Sequence, residues 1–117
     1  PTSGREIPPD LGTSLTMENP LSGNPEAIQA GERLFRINCA ACHGPAGDGV
    51  SPVGTKFAES GVRPPPSLVA DNSAAAVSPD GFIFGVITNG LGNMPALWKL
   101  LTPDERWAII TYLRTIQ

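Results

Sequence analysis

The cluster Cys39-Ala40-Ala41-Cys42-His43 limits what this chain can become more than any other feature. It contains both cysteines and the single histidine of 117 residues. Two thiols at this spacing share one side of a helical turn, and the imidazole follows at once. C-x-x-C-H is the attachment pattern of a c-type haem. The thiols add across the two vinyl groups, and the adjacent imidazole then lies under the iron as an axial ligand. The thioethers are irreversible, so a small domain keeps the cofactor without a deep cavity. Other uses of the cluster want residues or context that are absent. A redox dithiol of the thioredoxin kind needs a βαβ setting, and no such pattern is visible. A structural zinc site needs four ligands, and no Cys or His lies outside the cluster. A plain disulfide has no use for His43.

The iron's other axial position needs a second ligand. The methionines are Met17 and Met94. Met94 ends the stretch Thr88-Asn89-Gly90-Leu91-Gly92-Asn93-Met94-Pro95, a loop punctuated by glycine. Pro95 biases Met94 towards extended backbone, which presents a thioether rigidly. His43 and Met94 are therefore the expected iron ligands, a pairing that raises the reduction potential. Met17 is expected to pack or to lie at the surface.

Composition fits a cofactor-centred domain. The length is that of one domain. Apolar residues make up 40% of the chain but aromatic ones only 6%. A protein core built from them is short of bulk, which a large apolar cofactor supplies. Pro and Gly number thirteen each, so the chain reads as rich in loops. The net charge of −3 excludes the basic footprint of a nucleic-acid binder. No apolar run approaches the roughly 20 residues of a membrane span. The chain opens at Pro1 with neither Met nor a signal peptide, so an upstream segment, a membrane anchor among the options, is expected to have been removed.

Residues 1–23 carry four prolines and three glycines and show no helical or strand period. Ile7, Leu11, Leu15, Met17 and Leu21 provide enough apolar surface for an ordered arm packed on the domain. Residues 24–117 form the monohaem domain. Asn24-Pro25-Glu26 reads as a cap, a first-turn proline and an acid that complements the helix dipole. The helix should run to about Cys39 or Cys42, with Gly31, Phe35 and Cys39 on one face. Gly31 marks the close approach of a second helix. Residues 44–67 read as one long loop around a cofactor edge. Within it the Pro52 carbonyl is the expected acceptor for the free imidazole N–H of His43. Arg63 is expected to meet a haem propionate. Ser78-Pro79-Asp80 starts a helix that ends by Gly90, with Phe82, Ile83, Val86 and Ile87 walling the haem. Thr102-Pro103-Asp104-Glu105 is a capping box that opens the last helix. That helix should cross the first near Gly31, with Ile109 or Tyr112 against Phe35. Trp98 either reaches a propionate with its indole N–H or roofs the pocket.

Taken together these residues resemble a class I c-type cytochrome. Gly31-x-x-x-Phe35-x-x-x-Cys39, Cys42-His43, Met94-Pro95 and Tyr112-Leu113 follow in the family's order over residues 24–117. The resemblance implies an all-α fold, with three main helices around one haem c bound through Cys39 and Cys42, and long loops between them. A narrower likeness rests on Met17-Glu18-Asn19-Pro20, Gly47-Asp48-Gly49, Pro65-Pro66-Ser67-Leu68, and Arg106-Trp107-Ala108-Ile109 with Tyr112-Leu113-Arg114. There the chain is similar to the monohaem cytochrome subunit of alternative complex III. That likeness implies an electron carrier between a quinol-oxidising complex and a haem-copper oxygen reductase. Leu68 joins the expected haem contacts. Such subunits are commonly lipid-anchored through an N-terminal Cys, and here no Cys precedes Cys39.

With both axial positions filled by protein, the iron has no open site, and no other titratable cluster could run acid–base chemistry. The expectation is thus a monomeric one-electron carrier rather than an enzyme, on the periplasmic side of the membrane, where covalent haem is attached. Two other readings remain open at this point. In one, Met94 is labile and the chain is a gas-binding sensor module, which carbon monoxide binding would reveal. In the other, the chain is a domain of a larger oxidase or dehydrogenase subunit.

Overall fold

Seven helical segments make up the secondary structure of the computed structural model, which describes residues 10–117. They are α1 (Leu11–Ser14), α2 (Pro25–Asn38), α3 (Ala40–His43), α4 (Pro52–Glu59), α5 (Ala74–Val77), α6 (Asp80–Asn89) and α7 (Pro103–Ile116). The three main helices of the expected class I cytochrome fold are α2, α6 and α7. Among the described residues no helix is long and apolar enough to cross a membrane.

The two longest helices start where local chemistry says they should. The Asn24 side chain accepts from the N–H groups of Glu26 and Ala27, with Pro25 in the first turn of α2. At α7 the Thr102 hydroxyl accepts from the Glu105 N–H, and the Glu105 carboxylate accepts from the Thr102 N–H. These helices cross at Gly31, where any side chain would run into the Ala108 carbonyl. The glycine costs α2 up to about 1 kcal/mol of helix propensity. In return the backbones meet, and the Phe35 and Tyr112 rings lie 5.6 Å apart at a tilt of 56°. Of the two expected partners, Tyr112 therefore faces Phe35.

Beneath this crossing lies α6. Ile83, Phe84 and Ile87 share an apolar cluster with Leu101, Trp107 and Ile110. Phe84 stacks on Trp107 with ring centroids 4.0 Å apart. The helix stops at Gly90, whose φ of 76° is open to glycine at little cost. Its start differs from expectation by one residue. Pro79 occupies the cap and Asp80 the first helical position. Arg114 of α7 lies at this start, donating to the Ser78 carbonyl at 2.6 Å and to the Asp80 carboxylate at 2.7 Å.

The stretch 44–67 is not one loop. It contains α4, opened by the Ser51 hydroxyl accepting from the Gly54 N–H and by Pro52 in the first turn. The start signal matches the one at Asn24-Pro25. Gly54 and a short apolar set hid the helix that follows it.

In the described part of the arm, α1 lies on α6. Ser14 is fully buried, and side chains at Gly81 or Gly85 would collide with its carbonyl or its hydroxyl. The Asn19 amide donates to the Asp80 carboxylate and the Thr111 hydroxyl, 3.0 Å to each. Met17 and Leu21 pack against the core, whereas Leu15 is exposed. Ile7 lies outside the described residues.

Candidate functional site

The end of α2 carries Cys39, and α3 brings Cys42 and His43 round the next turn. The N–H groups of Cys42 and His43 both donate to the Cys39 carbonyl, at 3.2 and 2.9 Å. Cys39 is buried, Cys42 is half-buried, and both are free thiols. Burial, with Cys42 adding to it, pushes the Cys39 thiol up to about 12. Two unpaired thiols thus stand beside an imidazole.

The His43 ring stands 3.1 Å from the Pro66 carbonyl through Nδ1. A carbonyl only accepts, so Nδ1 carries the proton and Nε2 keeps its lone pair. Burial lowers the His43 pKa below its ordinary value, and the Pro66 carbonyl offsets part of that. The imidazole is therefore neutral and oriented, as a metal-ligating His must be. This donor set fits a haem c: two free thiols on one turn and a ring whose outer nitrogen is fixed.

The acceptor for His43 was expected at Pro52. The structure corrects this to Pro66. Pro52 is exposed in the first turn of α4, while the Pro64-Pro65-Pro66 run carries the Pro66 carbonyl to the ring. Backbone and side-chain bonds fix the rest of the turn. The Gly49 N–H donates to the His43 carbonyl at 2.7 Å, and the Leu68 N–H to the Gly47 carbonyl at 2.7 Å. The buried Ser51 hydroxyl donates to the Cys42 carbonyl at 2.8 Å.

Met94 is held differently. Leu91 and Met94 exchange backbone hydrogen bonds of 3.1 and 3.0 Å across a two-residue hairpin. Gly92 takes the first turn position with a φ of 59°, as hairpins of this length favour. A side chain at Gly90 would come within 2.5 Å of the Met94 carbonyl, so the hairpin folds directly over that glycine. The Leu97 N–H donates to the Ile87 carbonyl of α6 at 3.0 Å. Met94 is half-buried and packs on the apolar cluster.

Of the other expected contacts, Ile83 is a buried member of that cluster and Leu68 packs against it. Trp98 is half-buried, with the Lys99 ammonium 5.5 Å from its ring centroid. Arg63 is exposed and makes no hydrogen bond or ion pair among the described residues. Sequence reasoning passed over Ser51 and Pro66. The signal for Pro66 was the triple proline, whose carbonyls cannot all find ladder partners.

The description "Cytochrome C oxidase, cbb3-type, subunit III" matches residues 26–113. The chain belongs to this family. It is a c-type cytochrome domain, hence an electron carrier with a covalently bound haem c, and Cys39 and Cys42 are the cysteines present to hold it. A relative, the cbb3-type cytochrome c oxidase subunit FixP of Azorhizobium caulinodans, is 33% identical over 95 residues. The match takes in 80% of this chain but only 29% of that protein. Among solved structures, cytochrome cL of Methylophaga aminisulfidivorans is 29% identical with a TM-score of 0.66, over 86% of this chain and 59% of that one. Cytochrome c6 of the diatom Phaeodactylum tricornutum is 26% identical with a TM-score of 0.57, over 75% of this chain and 91% of that one. The cytochrome expectation, fold and cofactor alike, is met.

Proposed function

We propose that this domain carries single electrons in a respiratory chain, with His43 and Met94 as the iron ligands of its haem c. The observation that supports this best is the His43 ring, fixed through Nδ1 on the Pro66 carbonyl at 3.1 Å with Nε2 left free. The haem supplies the reversible one-electron change. Cys39 and Cys42 would hold it, His43 would offer Nε2 to its iron, and the hairpin would offer the Met94 thioether as the second ligand. Among the described residues no group of three or more His, Cys, Asp and Glu could hold a metal ion. With His43 and Met94 as its ligands the iron would have no open position for a substrate, so the domain would transfer electrons. Ile83, Leu68 and Trp98 line the cofactor in this reading, and Arg63 meets a propionate.

The donor is a quinol-oxidising complex and the acceptor a haem-copper oxygen reductase, on the periplasmic side or outer face of the membrane. The likeness to the alternative complex III subunit supports the donor, and the oxidase family supports the acceptor. Weak redox encounters bury little surface, under about 1,200 Å², so a monomer with a small docking face suffices.

A second reading is favoured by the relative of which this chain matches 29%. In it the domain is one part of a larger oxidase subunit and passes electrons inside a single assembly. Purification from native membranes separates the two. Elution with an oxygen reductase as one complex supports the tethered form, and release as a free small protein supports the diffusible one. The chemistry is tested by an optical redox titration with carbon monoxide added at the end. A low-spin c-type spectrum with the thioether charge-transfer band, a high midpoint and no carbon monoxide binding is expected. Ready binding by the reduced protein overturns Met94 ligation in favour of a gas-binding module.

A further inference from the structure

Arg106 is 2% exposed, yet no carboxylate pairs with it among the described residues. Burying a guanidinium without an acid is costly, so its contacts need a reason. The guanidinium lies 4.8 Å from the Phe84 ring centroid, which accounts for some of the attraction. Its hydrogen bonds go to two oxygens. Nη1 donates to the Thr88 hydroxyl at 2.6 Å, and Nε makes a longer bond of 3.4 Å to the Thr102 carbonyl. Thr88 is fully buried in the last turn of α6, and its own proton goes to the Phe84 carbonyl at 2.7 Å. Thr102 is the cap of α7. Everything between these two threonines is the segment that carries Met94.

We propose that Arg106 is a positioning residue for Met94: by tying the first turn of α7 to Thr88 in the last turn of α6 it closes the base of the Met94 segment and sets how readily the thioether leaves the iron. This rests on Met94 being the ligand. The Thr102 carbonyl belongs to the cap of Arg106's own helix, so the bond to Thr88 is the one that joins α7 to α6, and a neutral apolar residue would fill the same space without making it. The hairpin above is held by the paired Leu91–Met94 bonds, the packing of Met94 on the apolar cluster and the Leu97 bond to Ile87, while Leu91 itself is exposed. Arg114 is the natural control. It lies on the same helix and also bridges elements, through Asp80, Ala75 and Ser78, but none of these flanks Met94.

The test uses the haem-loaded protein and its Arg106→Met, Arg106→Lys, Thr88→Val, Thr88→Ser and Arg114→Met variants. Two quantities are read on the ferric form: the pH midpoint at which the thioether charge-transfer band disappears, and the rate of imidazole binding. Losing a hydrogen bond to a charged group should shift the equilibrium about tenfold or more. Arg106→Met and Thr88→Val should therefore lower the midpoint by about one pH unit and speed imidazole binding about tenfold. Arg106→Lys should recover part of the loss, and Thr88→Ser, which keeps the acceptor, should stay near wild type. Arg114→Met should lower thermal stability and leave both readings within about twofold of wild type. Unchanged readings in Arg106→Met, or equal changes in Arg114→Met, overturn the proposal. If Arg106→Met yields no haem-loaded protein, the two Thr88 variants decide: valine and serine behaving alike overturns it. A wild-type protein without the charge-transfer band overturns the ligand reading instead, which separates the two failures.

Discussion

His43 stands on a helical turn and is held at three points, whereas Met94 stands on a hairpin held at its base. The His43 N–H reaches the Cys39 carbonyl, its carbonyl receives the Gly49 N–H, and its ring meets the Pro66 carbonyl. Ser51 adds a bond to the adjacent Cys42 carbonyl. Among the described residues the backbone–backbone bonds of Met94 go to Leu91, and the next anchor is the Leu97 bond to Ile87. Both sides are glycine-rich, but the glycines do different work. On the His43 side they let loop backbone pack round a covalent anchor. At Gly90 a single residue lets the hairpin fold back on α6. The difference places more backbone and side-chain bonds where the cofactor is attached and fewer where the proposed second ligand arrives.

Met94→Ala should give the sharpest contrast. The haem should stay attached through Cys39 and Cys42, and the potential should fall by on the order of 0.1–0.2 V, part of the roughly 0.8 V that axial ligands span. Carbon monoxide should then bind the reduced protein. A redox titration checks this, and an unchanged midpoint would remove Met94 from the ligand set.

Gly31→Ala attacks the frame and leaves both ligands in place. The added methyl meets the Ala108 carbonyl, so α2 and α7 must separate. A loss of about 1–3 kcal/mol is expected in denaturant unfolding. The charge-transfer band should persist in the folded fraction, because the atoms nearest the added methyl belong to Ala108 and Tyr112 and not to the Met94 hairpin. Deleting residues 1–20 removes α1 and the Asn19 bridge to Asp80 and Thr111, and uncovers the Gly81–Gly85 face of α6. The melting temperature should fall by about 5–10 °C. An unchanged melting temperature would make residues 1–20 a tether.

What could be read from the sequence was mostly short-range. The haem-binding cluster, the caps at Asn24 and Thr102 and the stop at Gly90 are each written within a few residues, and each is found in place. The crossing at Gly31 was also legible, because a glycine amid a helical apolar face has few other uses. Long-range geometry was not. The acceptor for His43 depends on where a chain of 23 residues returns, and Pro52 and Pro66 offer the same carbonyl. The start of α6 meets Arg114, which lies 34 residues beyond Asp80. In the sequence Arg106 entered only as part of the Arg106-Trp107-Ala108-Ile109 stretch, with no role of its own. Only the packing of Phe84 and Thr88 against α7 shows that it is buried.

Ser51 gives the mildest perturbation and the finest test of the contrast between the two sides. Its hydroxyl donates to the Cys42 carbonyl and accepts from the Gly54 N–H, so it both caps α4 and ties that helix to the attachment turn. Ser51→Ala removes both bonds and should cost about 1–2 kcal/mol. Because His43 keeps its bonds to Pro66 and Gly49, the pH midpoint of the charge-transfer band and the rate of imidazole binding should stay at wild-type values. If they shift as far as in Arg106→Met, the bonds on the His43 side and ligand release on the Met94 side are coupled. The site would then behave as one unit and not as two separately held halves.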